Sequence, residues 1–150
     1  MMIRNIFFSL VTTLLLIACG GGDNEPSQDA QSTLSPDGLT KAQLVNGIGP
    51  VKDMKLSPLD EGLAAQGKDI FDLKCIACHK IDDRLVGPPL AKITERRTPA
   101  FIMNMILNPD EMVKKHPAVK AMLAEYYVPM TFQNVSEQDA RALLEYLRTL

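Results

Sequence analysis

Apolar residues recur at steps of three and four along most of the chain from residue 57 onward, which is the spacing of one face of an α-helix. The clearest run comprises Leu59, Leu63, Gly67, Ile70 and Phe71, and Lys74 continues the same spacing. Ser57-Pro58 before it is typical of a helix start, a serine cap followed by proline. Further helices are predicted to begin near Thr98, Asn108, Pro117 and Ser136. Since no segment alternates strongly enough for a strand, the pattern predicts an all-α fold.

The N-terminus has the pattern of an export signal. A short basic start, Met1–Arg4, precedes the apolar run Ile6–Ile17, which is too short to cross a bilayer unaided. The run ends in Leu16-Ile17-Ala18-Cys19, which resembles a bacterial lipobox, where cleavage leaves the cysteine as a lipid-modified N-terminus. We therefore predict a signal peptide over residues 1–18 and lipidation of Cys19. An ordinary secretory signal or an uncleaved anchor is the alternative.

Residues 20–40 are rich in Gly, Pro, Ser and acidic residues and poor in large apolar ones. Such a segment buries too little surface to offset the entropy lost on ordering it. We therefore predict a flexible tether over residues 19–57 and a folded domain over residues 58–150. Residues 41–56 contain six large apolar side chains, which leaves open whether they pack on that domain.

The strongest chemical signal is Cys75-Ile-Ala-Cys78-His79, the C-x-x-C-H spacing of covalent c-type haem attachment. Two thiols three residues apart at a helix end can reach the two vinyl groups along a porphyrin edge, and the adjacent histidine can bind the iron. A reactive dithiol would require a βαβ setting, and a zinc site would require a second Cys/His pair. Because the surroundings are helical and the sequence has no second pair, the motif favours haem.

Gly67 and Phe71 extend this motif into a wider resemblance to class I cytochromes c over about residues 58–150. In the final predicted helix, Leu143-x-x-Tyr146 matches the pair that packs on the Gly/Phe positions in that family. The resemblance implies a fold in which the N- and C-terminal helices cross around one covalently attached haem c.

The resemblance also implies the groups around the iron. A proline carbonyl in the family accepts the second ring N–H of the proximal histidine, here His79; Pro88 matches that position best, with Pro89 next. Met130 follows a proline in the loop before the final helix and resembles the distal methionine, whereas the helical methionines are interpreted as packing or surface residues. His116, expected to be solvated at a helix junction, is a second candidate for the distal ligand, and an open sixth site is a third.

The formal net charge of −2 gives no electrostatic support for nucleic-acid binding. Residues 74–97 are different, since six basic and three acidic residues give them a net charge of +3. They could steer an acidic partner or form an ordinary solvated surface. The sequence has no tryptophan, so any partner for the haem propionates must come from an amide or from Arg96, Arg97, Tyr126 or Tyr127.

These patterns together predict a monomeric, lipid-tethered electron carrier on the periplasmic side of a bacterial membrane, and not an enzyme. With both axial positions of the iron filled, a substrate has nowhere to bind. By resemblance, its partners are a quinol-oxidising complex upstream and a terminal oxidase or periplasmic reductase downstream, near which the tether holds it. The alternative is a haem enzyme or sensor whose sixth iron ligand is open or labile.

Overall fold

The computed structural model describes residues 34–150, which contain seven α-helices and, as β-structure, one isolated bridge between Leu34 and Thr40. The all-α prediction is confirmed for this part of the chain. The helices are α1 (Lys41–Asn46), α2 (Glu61–Lys74), α3 (Ile93–Arg96), α4 (Pro99–Leu107), α5 (Pro109–Lys115), α6 (Pro117–Tyr126) and α7 (Glu137–Leu147). None of these helices is long and apolar enough to span a membrane. The predicted signal peptide and Cys19 lie outside the described residues.

Local capping signals place most of the helix starts. The hydroxyls of Thr98 and Ser136 accept hydrogen bonds from the backbone N–H three residues on, at 3.2 and 3.0 Å, and so begin α4 and α7. The start of α2 differs from the prediction, because Asp60 rather than Ser57 is the cap. The carbonyl of Ser57 instead accepts a hydrogen bond from Arg148 Nη2 at 3.0 Å, so a tertiary contact holds the serine outside the helix.

The crossing of α2 and α7 is the most extensive helix contact in the described chain. It is close because Gly67 has no side chain: a Cβ there would overlap the carbonyl oxygen of Ala142 and lie 2.9 Å from the backbone nitrogen of Leu143. One turn on, the Phe71 ring packs against Tyr146 with 5.3 Å between centroids. The predicted crossing of the terminal helices, with Gly67 and Phe71 facing Leu143 and Tyr146, is therefore confirmed.

Part of the stretch before α2 packs on the domain, which answers the question that the sequence leaves open for residues 41–56: Val51 is buried, and Met54 and Leu56 pack against the same core. The fully buried Asn104 of α4 accepts a hydrogen bond from the Val51 N–H at 3.0 Å and donates two, at 2.8 Å each, to the carbonyls of Asn46 and Val51. Val51 itself belongs to the main apolar core. A buried amide with all of these bonds made fixes the segment strongly, which no local sequence pattern indicates.

A second buried polar group joins the two ends of the domain. Glu145 of α7 is fully buried and binds Arg141, Arg148 and the backbone N–H of Asp60, the cap of α2. Burial alone would raise the pKa of the Glu145 carboxyl, but the hydrogen bonds from Arg148 and Arg141 hold it below its ordinary value. The cluster thus ties the start of α2 to the end of α7.

Candidate functional site

A cavity of about 280 Å³ brings together all five residues predicted to bind the cofactor. They are Cys75, Cys78, His79, Pro88 and Met130. Eight more of the lining residues are apolar side chains of α4, α5 and α6. A cleft that is apolar except for a few converging polar groups is the usual form of a cofactor pocket.

The C-x-x-C-H turn continues directly from the end of α2. The Cys75 N–H donates to the Phe71 carbonyl at 2.8 Å, and the N–H groups of Cys78 and His79 both donate to the Cys75 carbonyl at 3.0 Å. This tight turn places both thiols and the imidazole along one wall of the cavity. Burial raises the pKa of the Cys75 thiol, whereas Cys78 is exposed, and neither thiol is part of a disulfide within the described residues.

The imidazole of His79 is held in one orientation. Its Nδ1 lies 3.0 Å from the carbonyl oxygen of Pro88, and because a carbonyl can only accept, Nδ1 carries the proton and Nε2 keeps its lone pair for a metal. Pro88 rather than Pro89 supplies this oxygen, as the resemblance favours. Gly87 makes room for the ring, since a Cβ there would lie 2.5 Å from His79 Cε1.

Met130 lies in the loop between α6 and α7 and lines the same cavity as His79. Two helical methionines, Met105 and Met122, also line it, so residue type alone does not single out Met130. Met112 is engaged elsewhere, because its Sδ accepts a hydrogen bond from the Ile48 N–H at 3.0 Å. Among the lining methionines, Met130 alone is outside a helix.

His116 is buried, and the expectation that it is solvated is wrong. Its side chain is 1% exposed, its Nε2 lies 3.2 Å from the Leu44 carbonyl, and its ring meets Phe101 edge-on at 5.2 Å. Burial lowers the pKa of His116, against the opposing effect of its hydrogen bond to Leu44. It does not line the cavity, so the geometry gives no support to His116 as a ligand.

Two of the four candidates for binding the haem propionates line the cavity, namely Arg97 and Tyr126. Arg97 lies over the Phe101 ring at 4.7 Å. Arg96 is committed to the carbonyls of Pro89 and Ala91, each at 3.0 Å. Tyr127 is 83% exposed and lies outside the lining.

Comparisons with known proteins point to one family of haem proteins. The family model described as cytochrome c matches residues 64–150. A cytochrome c2 of Rhodopseudomonas palustris is 29% identical over 112 residues, covering 58% of this chain and 97% of that protein. A solved cytochrome c from Rhodothermus marinus is 46% identical with a TM-score of 0.69, covering 72% of this chain and 94% of its own.

An engineered form of the Rhodothermus marinus protein, solved bound to a carbene intermediate, is also similar. It is 45% identical with a TM-score of 0.66, and the match covers 72% of this chain and 95% of that one.

The helix crossing and the haem-attachment turn define a class I c-type cytochrome fold. The chain belongs to the cytochrome c family, whose members carry electrons on a covalently bound haem c. The described residues fit that group: two unpaired thiols, a histidine with Nε2 left free, and a glycine that leaves space for the ring lie together along the cavity.

Two features of the site were missed by sequence reasoning. Gly87 was not singled out from the sequence, although a glycine directly before a proline marks a turn. Lys74 lines the cavity and reaches the loop of Met130. The hints in the sequence are its place in the helical run and its position directly before Cys75, but the contact it makes, 59 residues along the chain, is a product of the fold.

Proposed function

We propose that this chain is a periplasmic-side electron carrier in which Cys75 and Cys78 attach the haem and His79 and Met130 are the axial ligands. The convergence of these four side chains on one apolar cavity is the observation that supports it most. A bound haem supplies a one-electron couple between ferrous and ferric iron. The residues around His79 and Met130 orient these two ligands, keep water away and tune the reduction potential.

The two proposed ligands make different contributions. Donation of the Nδ1 proton to Pro88 fixes the orientation of His79 and makes its Nε2 a stronger donor to a metal. The thioether of Met130 favours the reduced state relative to a second imidazole and so raises the reduction potential. Because His79 and Met130 would fill both axial positions, we propose a carrier rather than an enzyme; a haem enzyme or sensor with an open sixth position is the alternative.

The proposed membrane attachment is a lipid on Cys19, which is supported by the lipobox-like sequence Leu16–Cys19. Since Leu39 and Val51 are buried, we propose that the tether is the stretch that follows Cys19 and ends before Leu39. Mass spectrometry of the membrane-extracted protein tests this directly. We expect a diacylated or triacylated Cys19 at the N-terminus; an unmodified Cys19 or an intact Met1 would contradict it.

Electron transfer requires a protein partner to approach the cavity edge. Large apolar side chains are exposed beside the haem-attachment turn and the Met130 segment, a feature of protein-binding surfaces. They are Leu73, Ile76, Val86, Val128 and Phe132. With the net charge of +3 on residues 74–97, this surface suits an acidic redox protein. We propose a quinol-oxidising complex as donor and a terminal oxidase or periplasmic reductase as acceptor.

Three matched variants test the ligand assignment: Met130→Leu, Met105→Leu and Met122→Leu. All three positions line the cavity, and leucine nearly conserves the volume of methionine while removing the thioether. We expect Met130→Leu alone to become high-spin and to lower the reduction potential, because only this loop methionine is proposed to bind the iron. The measurement is a redox titration followed by absorption spectroscopy.

The control variants should keep low-spin spectra and nearly the wild-type potential. If Met130→Leu also remains low-spin with an unchanged potential, Met130 is not the ligand. If Met105→Leu or Met122→Leu loses the low-spin spectrum instead, a helical methionine has that role.

A further inference from the structure

The segment that carries Met130 has few hydrogen bonds to the rest of the protein. We call residues 128–135 the Met130 loop. Its backbone makes no backbone–backbone hydrogen bond in the described chain. Non-glycine residues in the left-handed region, Tyr127 with φ 63° and Asn134 with φ 52°, stand at its two ends. Within the loop, the Gln133 side chain donates to the backbone and hydroxyl oxygens of Thr131 at 3.1 and 3.0 Å.

One side chain supplies all the hydrogen bonds that join the Met130 loop to other described residues. The ammonium of Lys74 lies 3.1 Å from the Gln133 carbonyl oxygen and 3.5 Å from that of Asn134. Lys74 is the last residue of α2 and directly precedes Cys75, and its side chain also lines the cavity. It therefore connects the wall that carries the thiols to the loop that carries Met130.

The Lys74 contact is strong for a single attachment of the Met130 loop. An ammonium that donates to a carbonyl forms a charge-assisted hydrogen bond, stronger than one between neutral groups. No other backbone or side-chain bond shares its task within the described residues, so its loss frees the loop to move away from the cavity. The buried Val135 side chain holds only the C-terminal end of the loop.

We infer that Lys74 is a positioning residue that holds Met130 toward the iron by binding the loop carbonyls of residues 133 and 134. The inference rests on the proposed ligation of the iron by Met130. Lys68, on the same helix, shows that charge alone does not give a lysine this role. Its ammonium binds Asp72 one turn on at 2.6 Å, so it supports only the helix itself.

Binding of imidazole to the ferric holoprotein tests the inference, because imidazole competes with the loop methionine for the iron. In Lys74→Met the stem of the side chain remains and the ammonium is lost. We expect imidazole to bind about tenfold more tightly to this variant, since a charge-assisted bond at a partly exposed site is worth about 1.4 kcal/mol. The limiting rate of binding at high imidazole concentration, which reports how fast Met130 leaves the iron, should also rise. Lys68→Met is the matched control and should bind imidazole like the wild type.

The Met130→Ala background separates this role from a general loss of stability. There Lys74→Met should no longer change imidazole binding, because no methionine remains to be held. Wild-type imidazole binding by Lys74→Met, or an equal effect of Lys74→Met in both backgrounds, would overturn the inference while leaving the ligand assignment intact. If Met130→Ala itself binds imidazole like the wild type, the proposed ligation fails and the inference with it.

Discussion

The His79 side of the cavity and the Met130 side are held in place by different means. We call residues 79–92 the His79 loop. Its backbone is pinned by bonds from Gly87 N–H to the Cys78 carbonyl at 2.8 Å and from Ala91 N–H to the Ile81 carbonyl at 2.8 Å. The Met130 loop has no such backbone bonds in the described chain and depends on Lys74.

This difference indicates which side of the cavity can release its proposed iron ligand. A ligand held by many backbone bonds and by close packing keeps its geometry, because moving it breaks several contacts at once. A ligand on a loop with one strong attachment can leave and return at lower cost. We therefore expect ligand exchange and sensitivity to mutation of single polar contacts on the Met130 side, and sensitivity to added volume on the His79 side.

The largest expected effect comes from breaking the helix crossing beneath both sides. In Gly67→Ala the new Cβ would overlap the backbone of Ala142, which cannot move without separating α2 from α7. We expect a loss of about 3 kcal/mol in the free energy of unfolding, measured by urea denaturation.

Gly62→Ala is the matched control for that experiment. It lies in the same helix, exposed, with its nearest neighbouring atom at an ordinary 3.4 Å. Alanine there should stabilise the protein by about 0.5–1 kcal/mol, because it lowers the entropy cost of helix formation. Equal effects of the two substitutions on the free energy of unfolding would show that helix propensity, and not the crossing, determines the effect at Gly67.

A paired substitution compares the two sides directly. In Gly87→Ala the new Cβ lies 2.5 Å from His79 Cε1, so the ring must tilt away from Pro88, at a cost of about 1–3 kcal/mol. Gln133→Ala removes only bonds within the exposed Met130 loop and should cost less than about 0.5 kcal/mol. The measurement is denaturant unfolding of each holoprotein; a larger effect at Gln133 would reverse the comparison.

The smallest expected effect is a pH dependence of stability that comes from His116, at the junction of α5 and α6, where its ring lies beside the Leu44 carbonyl. The pKa of His116 is lowered in the folded state, chiefly by burial and also by the nearby Arg97, so the unfolded chain binds a proton more readily. The stability that neutral His116 contributes is therefore present above its unfolded pKa of about 6.5 and is lost as pH falls through the folded pKa.

His116→Gln tests this dependence, because an amide can still donate to the Leu44 carbonyl but does not titrate in this range. We expect the melting temperature of the variant to fall less than that of the wild type as pH is lowered from 7 to 5. Parallel curves would contradict a role for His116. Glu145, whose pKa is also lowered, loses its contribution only at more acidic pH, below the ordinary carboxyl range.

Much of the fold and of the site could be predicted from short-range patterns. The caps at Thr98 and Ser136 and the C-x-x-C-H turn depend on neighbours within a few residues, so their chemistry is visible in the sequence. The burial of His116 could not be predicted, because its partner Leu44 is 72 residues away. Lys74 was missed for the same reason.

The cap of α2 shows that local patterns can favour more than one helix start. Ser57-Pro58 satisfies the local preference for a helix start as well as Asp60 does. The choice between them is made by Arg148 and Glu145 at the other end of the domain, which bind the Ser57 carbonyl and the Asp60 N–H. A tertiary contact thus selects one of two starts that the sequence favours equally.

The measurement that tests the central claim most directly is the absorption spectrum of the purified wild-type holoprotein in the ferric and ferrous states, before and after addition of CO. If His79 and Met130 fill both axial positions, both states are low-spin and the ferrous protein forms no CO complex on mixing. A high-spin ferrous spectrum that binds CO at once would contradict the carrier assignment and favour a haem enzyme or sensor.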